Sequence, residues 1–228
     1  LLAQQDPEFV KRTFSSISGR YDFANHLLSG GIDFVWRHRV ARLVATVRPA
    51  LVLDLATGSG DLARAIQMAS PSAKIIGADF CLPMLEVAAK KNVPHLVQAD
   101  ALQLPFRDAV FDVVTVAFGL RNMASWPNAL AEMRRVLKPG GLVIVLDFSL
   151  PRNPLLRVAY RWYLHHVLPH IAGWTTGRPE AYEYLGESIE SFPSGTAMTA
   201  LMESQSFSCR PPRPMCCGIV SLYCGTAN

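Results

Sequence analysis

The sequence predicts an α/β protein: a doubly wound, mainly parallel seven-stranded sheet with an antiparallel C-terminal edge and a helical cap. Three observations carry that expectation. Short apolar runs of strand length alternate with helix-patterned segments from residue 50 to residue 150, as right-handed βαβ units require. The first strand-to-helix junction is the glycine-rich turn "TGSG". The chain closes on two strand-like runs joined by "RPPRPM", the pattern of an antiparallel edge.

"ALVLDLA" (50–56) is a buried strand entering the glycine turn, and "DLARAIQMA" (61–69) has helical spacing with an acidic first turn. "KIIGADF" is the second strand, and "PMLEVAAKKN" a helix with Pro83 in its first turn. "HLVQAD" gives a short third strand and "VFDVVTVAF", with seven of its nine residues apolar, a buried fourth. "WPNALAEMRRVLKPGG" reads as a helix stopped by Pro-Gly-Gly, before the fifth strand "LVIVLDF". From Pro151 to about Pro193 the alternation stops. "NPLLRVAYRWYLHHVLPHIAGW" and "EAYEYLGESIESF" are helical with no strand between them, which marks an insertion covering one end of the sheet. "SGTAMTALMESQSF" resumes as a helix with a serine start, and "CCGIVSLYCGT" is the closing strand. One domain over 1–228 is expected: an N-terminal substrate-side segment (1–40), a cofactor-binding core (41–150), the helical cap (151–193) and the closing helix and strands (194–228).

Half of the 228 residues are hydrophobic and 18% are charged, so a sizeable core is available and disorder is excluded. Lys and Arg total 22 against 18 for Asp and Glu, with no basic run of the kind that tracks nucleic acid. A mean hydropathy of +0.19 points to apolar surface kept for a greasy ligand or a membrane. No apolar stretch approaches the roughly 20 residues of a membrane-spanning helix. There is no recognisable signal peptide, and a chain that starts on Leu1 is compatible with a trimmed leader. The five cysteines (81, 209, 216, 217 and 224) have no CxxC spacing, so they are expected as small buried hydrophobes in a reducing compartment. Adjacent His165 and His166, with His170, point to different faces and have no acidic partner at ligand spacing, so no metal is expected.

In open α/β sheets, ligands bind beyond the carboxyl ends of the strands. There, Gly58, Gly60 and Ala63 satisfy G-x-G-x-x-[GA], and Asp79 follows about twenty residues later, placed to accept from ribose hydroxyls. Asp54 and Asp61 bracket the turn with negative charge that would repel a pyrophosphate, and Asp100 adds a fourth carboxylate. Four acidic groups suit a nucleoside carrying positive charge and no phosphate. S-adenosylmethionine fits, with Asp79 on the ribose, Asp100 on the adenine amino group beside Ala101, and the Gly58–Gly60 turn on the methionine part. Asp54 would act through the loop or a water. NAD(P) stays open as the alternative. Arg121 and Asn122, in "AFGLRN", stand where the fourth strand should surface.

"DLATGSGDL", "RVLKPGG" and "LDFS" together resemble a class I methyltransferase with its Rossmann-like core. "YDFANHLLSGGIDFVW", "AFGLRN" and "RRVLKPGGLVIVLDFS" resemble the ubiquinone/menaquinone biosynthesis C-methyltransferases, and the similarity extends to "YLGESIESFP" and "GIVSLYCG". The chain departs from the pattern at Ala24, usually bulky and apolar, at Asp33, often His, and at Asp147, usually Glu. The resemblance implies cofactor contacts at Ser59, Asp79, Asp100, Ala101 and the backbone of Ala117. Ala56, Phe80 and Met84 join the glycine turn in that expected set.

The reaction so implied is methylation of a ring carbon on a quinol bearing a polyprenyl tail. Loss of the phenolic proton loads the ortho carbon, which attacks the sulfonium methyl in line. Arg121 is then expected to stabilise the developing oxyanion and Asn122 to orient it. Tyr21, with Asp22 and Asn25, is expected to grip the quinol. "LLRVAYRWYLHHVLPHIAGW" offers an apolar slot for the tail, with Trp162, Tyr163, Leu164 and Trp174 among Arg157 and Arg161. A helix of that composition also suits peripheral contact with an anionic membrane surface. The expected setting is cytoplasmic, at the inner face of a membrane. Demethylmenaquinol is the expected acceptor; the benzoquinol of ubiquinone synthesis, or both rings, and a catalytically silent assembly subunit stay open.

Overall fold

The computed structural model describes residues 8, 29, 31–168 and 180–228. Tyr21, Asp22, Ala24, Asn25, His170 and Trp174 lie outside the described residues.

The described chain opens with helix α1 (Ile32–Val47), which runs across the expected boundary at residue 40. Strand β1 (Leu51–Leu55), helix α2 (Asp61–Ala69), strand β2 (Lys74–Asp79), helix α3 (Leu82–Lys90) and strand β3 (Leu96–Gln98) follow. Strand β4 (Phe111–Ala117) leads through a 3-10 turn (Leu120–Asn122) to α4 (Trp126–Val136) and β5 (Leu137–Phe148). The cap is α5 (Pro154–Trp162), a π-helical turn (Tyr163–Val167) and α6 (Glu180–Ser191). Helix α7 (Thr196–Ser204) and strands β6 (Phe207–Cys209), β7 (Arg213–Met215) and β8 (Val220–Ala227) close the chain.

Seven strands lie in the continuous order β3-β2-β1-β4-β5-β8-β6, parallel as far as β5 and antiparallel beyond it. An eighth, β7, also pairs with β8, so β6 and β7 take successive halves of one edge position. Pro211 and Pro212 separate them, because proline has no N–H for a ladder. Alternate residues of the central strands face opposite layers. Leu53, Val114 and Val143 pack with Leu130, Met133 and Met198 on one side. Val52, Val113 and Ile144 pack with Val40, Val44 and Ile66 on the other. Burial on both faces is why these strands read as mostly apolar runs without alternation.

Three local expectations need correction. Helix α4 stops at Val136, and Lys138-Pro-Gly-Gly lies within β5, where the register against β4 shifts. Gly140 takes φ 76, so it bends a strand there and does not cap a helix. Helix α7 is capped by Gly195 with no side-chain bond, so no serine starts it. The cysteines also divide. Cys81 and Cys224 are buried and Cys209 partly so, but Cys216 and Cys217 are exposed, on a tight turn with φ 49 and 58; none of the five is in a disulfide.

Candidate active site

The strand order reverses between β1 and β4, and a cleft open to solvent lies beyond their carboxyl ends. Ala56, just after β1, and Phe118, just after β4, both take left-handed backbone (φ 52 and 58). Such conformations cost of order 1–3 kcal/mol and persist only where the surroundings impose them. Here they turn two chain segments apart at one point. Gly119 fits between: a Cβ there would meet the Ala56 Cβ at 2.4 Å. The glycine of "AFGLRN" therefore permits a close approach of two loops.

Eight of the ten expected cofactor residues line this cleft: Ala56, Gly58, Asp79, Phe80, Met84, Asp100, Ala101 and Ala117. Ser59 and Gly60 do not. Ser59 is buried, and Gly60 (φ 82) packs on α3, where a Cβ would meet the Val93 Cγ2 at 2.6 Å. Gly58 is different: its added Cβ would meet only the Met84 Cε, at 3.5 Å, so its backbone faces the cleft. Leu55, Ala99, Leu102, Phe118, Gly119, Met123 and Ala124 complete the wall with Asn122. Sequence reasoning missed most of these because they are small or apolar loop residues with no chemical signature.

The carboxylates do not act as four of a kind. Asp79 ends β2 and accepts from the Gly58 and Cys81 backbone N–H groups, both at 2.8 Å; burial raises its pKa against those bonds. Each oxygen retains a lone pair for a ribose hydroxyl. Asp100 accepts from the Leu102 N–H at 2.9 Å and lines the cleft. Asp54 sits behind the turn, fully buried, accepting from the Thr57 and Thr115 hydroxyls, both at 2.7 Å. Asp61 pairs with Lys91 at 2.5 Å, with Arg37 at 4.0 Å. The expected ring of four charges is corrected to two, because Asp54 and Asp61 are spent on holding the loop and helix α2. What remains, two acceptors among mostly apolar walls, fits a cationic nucleoside.

Burial pushes the Asp54 carboxyl up to about 6, with the Thr115 and Thr57 bonds and Arg37 acting against it. In the unfolded chain it ionises near the usual carboxylate value of 3.8. Below both values the acid is protonated in either state and nothing is lost; as pH rises towards the folded value, ionisation increasingly favours the unfolded chain. Asp54→Asn should therefore gain roughly 3 kcal/mol of stability relative to the natural chain between about pH 4 and pH 7. Urea unfolding of both at the two pH values checks this, and a constant difference would refute it.

Arg121 does not reach the surface. It is 4% exposed and lies off the cleft wall, on the far side of its turn. Its Nη1 donates to the Phe118 carbonyl at 2.6 Å and to Asp147 Oδ1 at 2.7 Å. The guanidinium carbon stands 5.2 Å from the Phe148 ring centre. Among the described residues its buried Nε has no hydrogen-bond partner, a rare state for a polar atom in a protein interior. Asp147, at 0% exposure, has its pKa raised by burial, with Arg121 opposing. Asn122 joins both sides: it lines the cleft, its Nδ2 donates to the Phe118 carbonyl at 3.3 Å, and its Oδ1 accepts from the Tyr184 hydroxyl of α6 at 3.2 Å. Tyr160 of α5 and Tyr184 both feel the Arg121 charge, while burial lifts their phenols, Tyr184 to about 12. Both phenols therefore stay protonated at neutral pH.

The expected tail slot is not assembled as drawn. Trp162 is exposed and stacks on His166 with centroids 5.6 Å apart. Leu164 is buried with Leu168 and Ile189 in a small core of the cap, where Tyr163 is partly buried. His165 approaches Glu190 at 3.3 Å, and among the described residues no group of three His, Cys, Asp or Glu side chains is placed to hold a metal ion.

The family model described as the ubiE/COQ5 methyltransferase family matches residues 2–227. The chain is 46% identical over 202 residues to the demethylmenaquinone methyltransferase of Thermus thermophilus, covering 86% of this chain and 92% of that one. It is 42% identical over 217 residues to the ubiquinone/menaquinone biosynthesis C-methyltransferase UbiE of Syntrophotalea carbinolica, covering 93% and 91%. Among solved structures, a methyltransferase from Thermotoga maritima shares the fold with a TM-score of 0.62 at 19% identity, over 96% of this chain and all of that one. With a matched model over nearly its whole length and relatives above 40% identity, the chain belongs to the ubiE/COQ5 methyltransferase family.

Proposed function

We infer that this chain methylates a ring carbon of a polyprenylated quinol with S-adenosylmethionine, converting demethylmenaquinol to menaquinol. The family match over residues 2–227, with relatives named for that activity, carries the reading. When bound, S-adenosylmethionine supplies an electrophilic methyl: its S–CH3 bond breaks as the ring carbon bonds the methyl, S-adenosylhomocysteine leaves, and the ring gives up a proton.

The chain's own residues divide the remaining work. Asp79 and Asp100 accept from the nucleoside, and the open backbone at Gly58 lets the ligand approach. Arg121, held through Nη1 by Asp147 and the Phe118 carbonyl, fixes the turn that carries Asn122 and sets a positive charge behind the cleft wall as negative charge develops on the quinol oxygen. A protonated guanidinium cannot take the phenolic proton itself, so a water passes it on. Asn122, fixed by Phe118 and Tyr184, uses its second amide proton to orient the ring. Tyr21 of the N-terminal segment grips the quinol. The cap over residues 151–193 keeps water from the phenolate. The enzyme works in the cytoplasm, against the inner face of the membrane that carries its substrate.

A relative named for both quinones keeps the ring preference a matter for measurement. Methyl transfer from labelled S-adenosylmethionine to paired naphthoquinol and benzoquinol acceptors tests the reading. Faster labelling of the naphthoquinol is expected; labelling of neither ring refutes catalysis, and preference for the benzoquinol reverses the acceptor.

A further inference from the structure

Helix α5 is built inside out for a helix in water. Leu155 is 81% exposed, Val158 68% and Trp162 59%, and no residue of the helix is buried. At about 100° per residue these three share an arc of roughly 60°, which faces away from the protein. Tyr160, on the opposite side, packs against the cap core within electrostatic reach of Arg121. The charges around this arc have one sign. Arg152, Arg157 and Arg161 lie on or just before the helix, and no acidic residue occurs between Asp147 and Glu180. Of the three, Arg161 pairs with Glu190 at 3.2 Å, while Arg157 donates to the Pro151 carbonyl at 2.9 Å.

We propose that the outward face of α5 is the docking surface of this protein for an anionic phospholipid bilayer. Leu155, Val158 and Trp162 enter the headgroup–acyl boundary, and the flanking arginines meet lipid phosphates. Charge complementarity decides the occupant. A second copy of this chain would set one basic, acid-free helix against another, whereas an anionic bilayer neutralises it. No helix among the described residues is long and apolar enough to cross a membrane, so attachment by this route is interfacial. The purpose of the docking rests on the quinol reading: a polyprenyl tail stays in lipid while its ring enters the cleft that Asn122 lines.

Co-sedimentation of the full chain with vesicles tests the proposal without any substrate. Binding should be at least about tenfold tighter to phosphatidylcholine vesicles carrying about 30 mol% phosphatidylglycerol than to phosphatidylcholine alone, and should weaken with salt. Leu155→Glu with Val158→Glu should lose roughly 100-fold in vesicle affinity, since two apolar side chains no longer insert. That variant should keep the melting temperature and the methylation of a tail-less naphthoquinol. Val158→Trp should bind more tightly, a gain that misfolding could not mimic. The proposal is overturned if the natural chain ignores anionic vesicles, if the double variant binds them equally well, or if sedimentation equilibrium shows a dimer that the double variant dissociates. Vesicle binding without methylation of any quinol would refute the quinol reading and leave the docking surface standing.

Discussion

Arg121→Ala should lower the rate of methyl transfer by about 10²–10³-fold, the scale of one lost oxyanion donor. It should also destabilise the fold by about 3–5 kcal/mol, because Asp147 is then a buried carboxylate without its partner. The two effects can be separated. Replacing both members, with Arg121→Met and Asp147→Leu, removes the orphaned charge and should restore most of the stability. The rate should stay low, since the positive charge behind the Asn122 turn is gone. Return of the rate together with the stability would show that Arg121 only holds the turn. The single variant also has a pH signature. Arg121 opposes the burial that raises the Asp147 pKa, so without it the carboxyl holds its proton to still higher pH. The destabilisation of Arg121→Ala should therefore shrink as pH falls and the acid goes neutral. Arg121→Lys should recover only part of the rate, because an ammonium keeps the charge but loses the planar guanidinium that stands over the Phe148 ring.

Asp79→Ala should weaken binding of S-adenosylhomocysteine by about 10- to 150-fold for each charge-assisted bond lost. The structure adds a second cost. The same carboxylate accepts from the Gly58 and Cys81 N–H groups, so alanine also loosens the glycine turn and the start of α3. Asp79→Asn separates these contributions: its one remaining acceptor can hold a single backbone N–H, and affinity should fall between the other two proteins. Titration calorimetry reads all three. Absence of heat with S-adenosylhomocysteine in the natural chain, with binding of NADH in its place, would overturn the cofactor assignment.

Much of this was legible in the chain itself. Alternating apolar runs and helical segments predicted the parallel part of the sheet, and Asp79 about twenty residues after a glycine turn located the cleft. Eight of the ten expected cofactor residues line it, because a βα turn and the last residue of a strand are set by local pattern. Pattern failed where long-range pairing decided. Lys138-Pro-Gly-Gly looks like a helix stop, yet pairing of Leu137 with Phe111 across the sheet draws it into β5. Ser59 and Gly60 belong to the motif, but packing on α3 and burial turn them from the cleft.

The sequence by itself determined the doubly wound sheet, the residues that line the cleft at its strand ends, and the family, because these follow from periodicity and from motifs a few residues long. Only the tertiary structure decided what each charge does. Asp54, Asp61, Asp79 and Asp100 are alike on paper. Burial beside Thr115 and a salt bridge to Lys91 remove the first two from the site and leave the others facing it. Arg121 was expected to surface; instead it lies buried, because Asp147 comes from a strand 26 residues later and pays for its desolvation. Trp162 was expected to line a slot and faces solvent, because Tyr160 occupies the inner side of its helix. A side chain's charge is written in the sequence, but the energy of that charge depends on neighbours that only folding assembles.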